Sequence, residues 1–226
     1  MDKLLTGKKI AVIVESKFIP EEITVYQNVF KAWGADVRLI SRIWYNDFKP
    51  GAKAWKKPTF WSDVDVLDAE PWETPSKLVI DDYADVSVLK VDEYAAIIMS
   101  ANYTSVRLRY ENFDLNNIPN DFNAREFARQ APIPRFFAEA MKRPNVVKGA
   151  LCHGLWILTP FPELLKDRNV ICNVVVMADI LNTGANIVMR PNGVVVDNDL
   201  VTGYSKHETF AFCEAIADQI LIKQNM

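Results

Sequence analysis

Around Cys152 the chain reads Gly149-Ala150-Leu151-Cys152-His153-Gly154, an apolar run that passes directly into a thiol, an imidazole and a glycine. This order suits a strand-turn-helix elbow, which holds a nucleophile in a strained turn at the end of a buried strand while small neighbours let the chain bend. Unpaired N–H groups and the macrodipole at the start of the following helix would favour the thiolate, the reactive form of cysteine. Adjacent side chains on such a turn diverge, so the backbone N–H of His153 is a firmer participant than its ring. In an elbow of this kind that N–H joins a second one, here from Ala101 or Asn102, to form an oxyanion hole. The chemistry that fits is attack of sulfur on an electrophilic carbonyl. An isolated cysteine ending a strand is more often buried and inert, and it is the His-Gly context that favours the reactive reading here.

Such an elbow needs a sheet behind it. Residues 9–14 (KIAVIV) form a continuous apolar run, as expected of a strand buried on both faces of a parallel sheet. After Pro20, the residues Ile23, Tyr26, Phe30 and Trp33 recur at helical spacing and stop at Gly34, and residues 35–40 supply the next strand. The first forty residues therefore predict a β-α-β unit with a right-handed crossover. The alternation resumes with a strand at 94–99, a helix around 134–142 and the elbow strand at 146–152, implying a mostly parallel sheet covered by helices. Ser205 and Glu208 have capping-box spacing ahead of a last helix, with Phe210, Cys213, Ala217 and Ile220 on one stripe.

Two regions read as elaborations on a single domain spanning residues 1–226. Residues 44–72 hold Trp44, Trp55, Trp61 and Trp72, which suit either a lid or subunit contact or a local cluster beneath a long loop. Residues 107–131 are polar and loop-like.

Composition narrows the function. With half of its 226 residues hydrophobic, the chain can bury a sizeable core, and a net charge of only −3 gives no electrostatic footprint for nucleic acid. No apolar run approaches the roughly 20 residues that span a bilayer, and the N-terminus lacks a secretory pattern, so no membrane association and a cytoplasmic location are expected. The three cysteines, Cys152, Cys172 and Cys213, show no CxxC spacing and are expected as free thiols. With two histidines and no HxxxH pattern, neither a metal nor another cofactor is expected.

The stretch ALCHG resembles the nucleophile elbow of the DJ-1/PfpI superfamily, within the class I glutamine amidotransferase-like fold. KKIAVIVESKFIPEEI, EYAAIIMSANY, ELLKDRNVICN and GVVVDNDLVTGYSKHETFAFCEAI occur in family order, covering most of the chain outside 44–72 and 107–131. The resemblance implies a three-layer α/β/α sandwich, a homodimer and a glutamate close to the cysteine. Counting back from Gly34 gives that role to Glu22, with Glu21 and Glu15 as neighbouring candidates. A carboxyl held against a thiolate must be protonated, because adjacent negative charges repel.

The same resemblance gives His153 the role of base in a Cys-His-Glu set. It also exposes departures from the family. Ser100-Ala101-Asn102 replaces the usual Pro-Gly-Gly, Val106 stands where the protease-like branch has an acidic partner, and Asn173 stands where the DJ-1 branch has a histidine or aromatic. Asn173 could orient substrate or simply cap a strand end. His207 could act as a distant base, although a solvated histidine is the plainer reading. Two functions fit the resemblance. One is a cysteine-dependent hydrolase or glyoxalase-like enzyme acting on a small carbonyl or amide; the other is a stress and redox sensor using oxidation of the same cysteine.

Overall fold

The computed structural model describes residues 4–42, 59–63, 75–80, 86–110 and 116–224. In chain order, β1 (Lys9–Ile13) leads through α1 (Pro20–Ala32) to β2 (Asp36–Ile40), followed by β3 (Thr59–Trp61) and β4 (Lys77–Val79). Then come β5 (Ala96–Met99), α2 (Thr104–Leu108), α3 (Ala124–Gln130), α4 (Pro132–Met141) and β6 (Val147–Leu151). The chain continues with β7 (Asn169–Val170), α5 (Val174–Leu181), β8 (Asn186–Ile187), β9 (Val194–Asp197), β10 (Leu200–Gly203) and α6 (Thr209–Gln224).

The central sheet has six strands in the order β2-β1-β5-β6-β10-β9, all parallel except β9, which pairs antiparallel with β10 at one edge. Side chains alternate across it, as the pleat requires. Ile10 and Val12 of β1 and Ala96 and Ile98 of β5 point to a core completed by Tyr26 and Phe30 of α1 and by Phe212 and Ile216 of α6. Ala11, Ile13, Ile97 and Met99 point the other way, against Ile133 and Phe137 of α4 and Val176 and Ile180 of α5. Two apolar cores on one sheet make the three-layer α/β/α sandwich that the sequence implies.

Helix α1 starts on Pro20, and Gly34 takes φ 90 just beyond its end, a left-handed turn that glycine enters without steric cost. The Ser205–Glu208 capping box is formed, although it closes a single 3-10 turn before α6 begins. The buried stripe of α6 is Thr209, Phe212, Cys213, Ile216, Ala217 and Ile220. Phe210, expected on that stripe, is 54% exposed and meets Trp33 edge-on at 6.3 Å. Within 107–131 the loop reading is corrected by α3, whose first turn is capped by Asn123 accepting from the N–H groups of Arg125 and Glu126. Of the four tryptophans in 44–72, Trp44, Trp55 and Trp72 lie outside the described residues. Trp61 is in β3 and half exposed, which argues against a buried cluster at that ring.

One charged group stands inside the sheet. Lys148, at the start of β6, is fully buried and donates to Asp199 and to the carbonyl of Arg143. Arg168 closes the network through Asp199 at 2.8 Å and Asp197 at 3.0 Å. Burial lowers the Lys148 ammonium to about 8. Burial also opposes the charge on Asp199, yet hydrogen bonds and attraction from Lys148 and Arg168 hold its carboxyl below the usual range.

Candidate active site

Cys152 follows β6 directly, at the end of the strand opposite Lys148. Its φ is 58, a left-handed conformation that costs a residue with a Cβ about 1–3 kcal/mol and persists only where the surroundings impose it. The surroundings do so from both sides: Cys152 N–H donates to Gly203 O at 2.8 Å, and Asn173 N–H donates to Cys152 O at 3.2 Å. Gly154 eases a close approach, since a Cβ there would stand 3.0 Å from the carbonyl oxygen of Met99. The element after the elbow is a 3-10 segment, Gly154–Leu158, in place of the expected α-helix. Its short turn adds little macrodipole, so any thiolate must draw on individual donors.

Glu22 rides in the first turn of α1 and is buried. Both carboxyl oxygens accept from Ala101 N–H, at 2.9 and 3.0 Å. That bond commits Ala101 to the carboxyl, so of the two expected oxyanion donors it is Asn102 whose N–H faces the sulfur, beside that of His153. Burial raises the Glu22 pKa to about 8, against the Ala101 bond and the nearby Tyr26 hydroxyl, and the group is therefore neutral at pH 7. Tyr26, one helical turn along, turns its hydroxyl toward that carboxyl from just outside hydrogen-bond geometry. Of the neighbouring candidates, Glu15 is buried but binds Ser16 N–H at 2.7 Å and lies 3.6 Å from Arg107.

Cys152 is 8% exposed, and burial pushes its thiol up to about 12, followed by repulsion from Glu22 and opposed by the Asn102 and His153 N–H groups. An intrinsically acidic thiol, the expectation from the elbow alone, is thus not what this resting site provides. The repulsion vanishes once Glu22 holds its proton, and the acid then becomes a donor.

The His153 ring packs into an aromatic wall, 5.3 Å from Tyr103 and 5.4 Å from Trp156, and it is the His153 backbone N–H that acts on the thiol. Burial lowers its pKa against the pull of the Asn173 side chain and the Asn102 backbone. Its Nδ1 has no partner in hydrogen-bond geometry among the described residues. Ser105 fixes the elbow from α2, its hydroxyl donating to His153 O at 3.0 Å. Asn173 caps α5, accepting from Val175 N–H at 3.1 Å, so it is a helix cap and a neighbour of His153 together. His207 is exposed in the turn before α6. Val106 lies in α2, where the neighbouring Arg107 stands 3.6 Å from Glu15.

Sequence reasoning missed one contributor. Asp63, just after β3, accepts from the side-chain amide of Asn102 at 3.0 Å and pairs with Lys17 at 2.8 Å. It lies in the segment read as an elaboration, and no local pattern marks it. Cys172 and Cys213 are sealed in the cores, and burial raises the Cys172 thiol to about 12 and that of Cys213 higher still. Among the described residues no group of three or more His, Cys, Asp or Glu side chains could hold a metal ion, and no helix is long and apolar enough to cross a membrane.

Comparison with solved structures returns the same architecture. A two-domain protein with DJ-1/ThiJ/PfpI-like and ferritin-like domains from Anabaena variabilis superposes with TM-score 0.66 at 18% identity, over 95% of this chain and 48% of its own. The present chain therefore spans about half of that relative. A ThiJ/PfpI domain protein from Brachyspira murdochii gives 0.65 at 15% identity, over 95% and 96% of the two chains. DJ-1beta of Drosophila melanogaster gives 0.67 at 10% identity, over 97% of each. These identities establish the fold alone. No curated protein matches the sequence. The sequence model of the DJ-1/PfpI family matches residues 89–219, a span running from just before β5 through the elbow into α6. With more than half of its length matched in this way, the chain belongs to the DJ-1/PfpI family.

Proposed function

We propose that this protein is a cysteine-dependent hydrolase or glyoxalase-like enzyme acting on a small carbonyl or amide substrate, with Cys152 as nucleophile. The observation that carries the reading is the convergence on one left-handed cysteine of two backbone N–H groups and a buried, neutral carboxyl. Sulfur attacks the carbonyl carbon, a C–S bond forms, and the π electrons move to oxygen, where the Asn102 and His153 N–H groups stabilise the charge. Before attack, the Glu22 O–H donates a hydrogen bond to the sulfur anion. The thiol proton passes to water before attack, because the neutral Glu22 carboxyl already holds its own and the His153 ring packs against Tyr103 and Trp156. The same neutral carboxyl would also hydrogen-bond a sulfinate, which supports peroxide sensing at Cys152 as the second reading. A homodimer in the cytoplasm is part of this proposal, on the strength of family membership.

Cys152 and Glu22 titrate as a pair, so the test is the pH profile of Cys152 alkylation by iodoacetamide, read by mass spectrometry. Above pH 8, where Glu22 ionises, the wild-type rate should flatten as the carboxylate repels the thiolate. Glu22→Leu should remove both donor and repulsion, slowing alkylation at pH 7 about tenfold and giving one plain sigmoid, because a hydrogen bond to a charged group contributes about 1.5–3 kcal/mol. Glu22→Gln, which keeps a donor, should fall between. Identical profiles for all three proteins would dismiss the pairing.

A further inference from the structure

Three residues with a Cβ adopt left-handed backbone around the site: Lys17 at φ 73, Asn102 at φ 61 and Cys152 at φ 58. The elbow's own hydrogen bonds hold Cys152. What holds the other two is the ribbon inserted after β2. Lys17 N–H donates to Trp61 O at 2.7 Å, Trp61 N–H to Ser16 Oγ at 3.2 Å, and Asp63 N–H to Phe18 O at 3.1 Å. The ribbon is itself tied across its far side, Ser76 N–H donating to Ser62 Oγ at 2.7 Å. Asp63 is thereby fixed above the β5–α2 loop, where one carboxylate oxygen takes the Asn102 amide at 3.0 Å and the other the Lys17 ammonium at 2.8 Å. Its side chain is only 20% exposed, so the bond to Asn102 is partly shielded from water.

The peptide on either side of Asn102 does two jobs. Its N–H faces the Cys152 sulfur, and its carbonyl side faces the His153 ring. Asparagine tolerates the left-handed region, but tolerance does not select it; a fixed side chain does.

We propose that Asp63 is a positioning residue of this active site: by anchoring the Asn102 side chain, it keeps the Asn102 N–H turned toward the Cys152 sulfur. The inserted ribbon is then part of the catalytic apparatus and not an ornament on it. This rests on the reading of Cys152 as the reactive group. The titratable groups that face the sulfur are Glu22 and Tyr26 from α1, Cys172 from the segment after β7, and His153; Asp63 acts through Asn102.

The test is the pH dependence of Cys152 alkylation by iodoacetamide in the full chain, with peptide mapping of all three thiols. Asp63→Ala should slow alkylation at pH 7 about tenfold, equal to a rise of about one unit in apparent thiol pKa. Asp63→Asn, which keeps an oxygen to accept from Asn102, should recover most of the rate. Asn102→Gly keeps the N–H and permits the left-handed backbone but loses the anchor that selects it, and should match Asp63→Ala; it also carries the test should Asp63→Ala not fold. Loss of a carboxylate acting only by its charge would speed alkylation, the opposite sign. A faster or unchanged rate in Asp63→Ala and Asn102→Gly, or Asp63→Asn behaving as Asp63→Ala, overturns the inference. A wild-type Cys152 that reacts no faster than Cys172 and Cys213 would instead overturn the reading of the site beneath it.

Discussion

Cys152→Ala is expected to abolish turnover of every small dicarbonyl or amide that the wild-type protein consumes, by about 10⁴-fold or more, because removing a nucleophile also idles the groups that serve it. The measurement is a panel of such compounds incubated with wild type and variant, with thermal melts to show that both are folded. Removing the sulfur leaves the Asn102 and His153 N–H groups in place, so any residual rate reports what the oxyanion site contributes unaided. Turnover that survives intact would take Cys152 out of the chemistry, whatever its geometry.

Asp199→Ala should destabilise the protein by about 3–5 kcal/mol at pH 7, since it leaves the Lys148 ammonium buried with only the Arg143 carbonyl for company. Denaturant unfolding checks this. Adding Lys148→Met should restore most of the loss, because a buried pair replaced by apolar volume is often close to neutral. The sign with pH is set by Asp199, whose carboxyl is held below the ordinary aspartate range by Lys148 and Arg168. Its contribution is present above the unfolded value and fades as pH falls through the folded one, so wild type and Asp199→Ala should converge in acid.

Much of this fold could be read directly from local pattern. After Lys9, β1 is apolar throughout because it lies between two strands and two helical layers, and α1 announces its stop with Gly34. The elbow was legible for the same reason: strand, thiol and small residues are contiguous. What escaped was either uniform or remote. In α6 apolar residues lie on several faces, so spacing could not separate exposed Phe210 from buried Phe212. Helix α3 buries none of its side chains, which removes the stripe that periodicity detects, though its Asn123 cap was available as a signal. Lys148 is a charge in a core strand whose partner lies fifty-one residues on, beyond the reach of any local pattern. Asp63 is thirty-nine residues from Asn102, and no window of sequence joins them. The acidity expected of Cys152 failed on a physical point: a thiol can sit in a reactive bend and still lose its solvation, so its ionisation depends on donors that only the assembled site supplies.

The unequal depth of the three thiols has a practical corollary. Cys172 and Cys213 have no accessible surface, and only Cys152 reaches solvent at all. A maleimide dye applied to the native protein would accordingly enter at one address without any cysteine being engineered away. The occupied fraction of that dye would then count competent molecules in a preparation, since a chain that has lost its shape presents three interchangeable thiols in place of one.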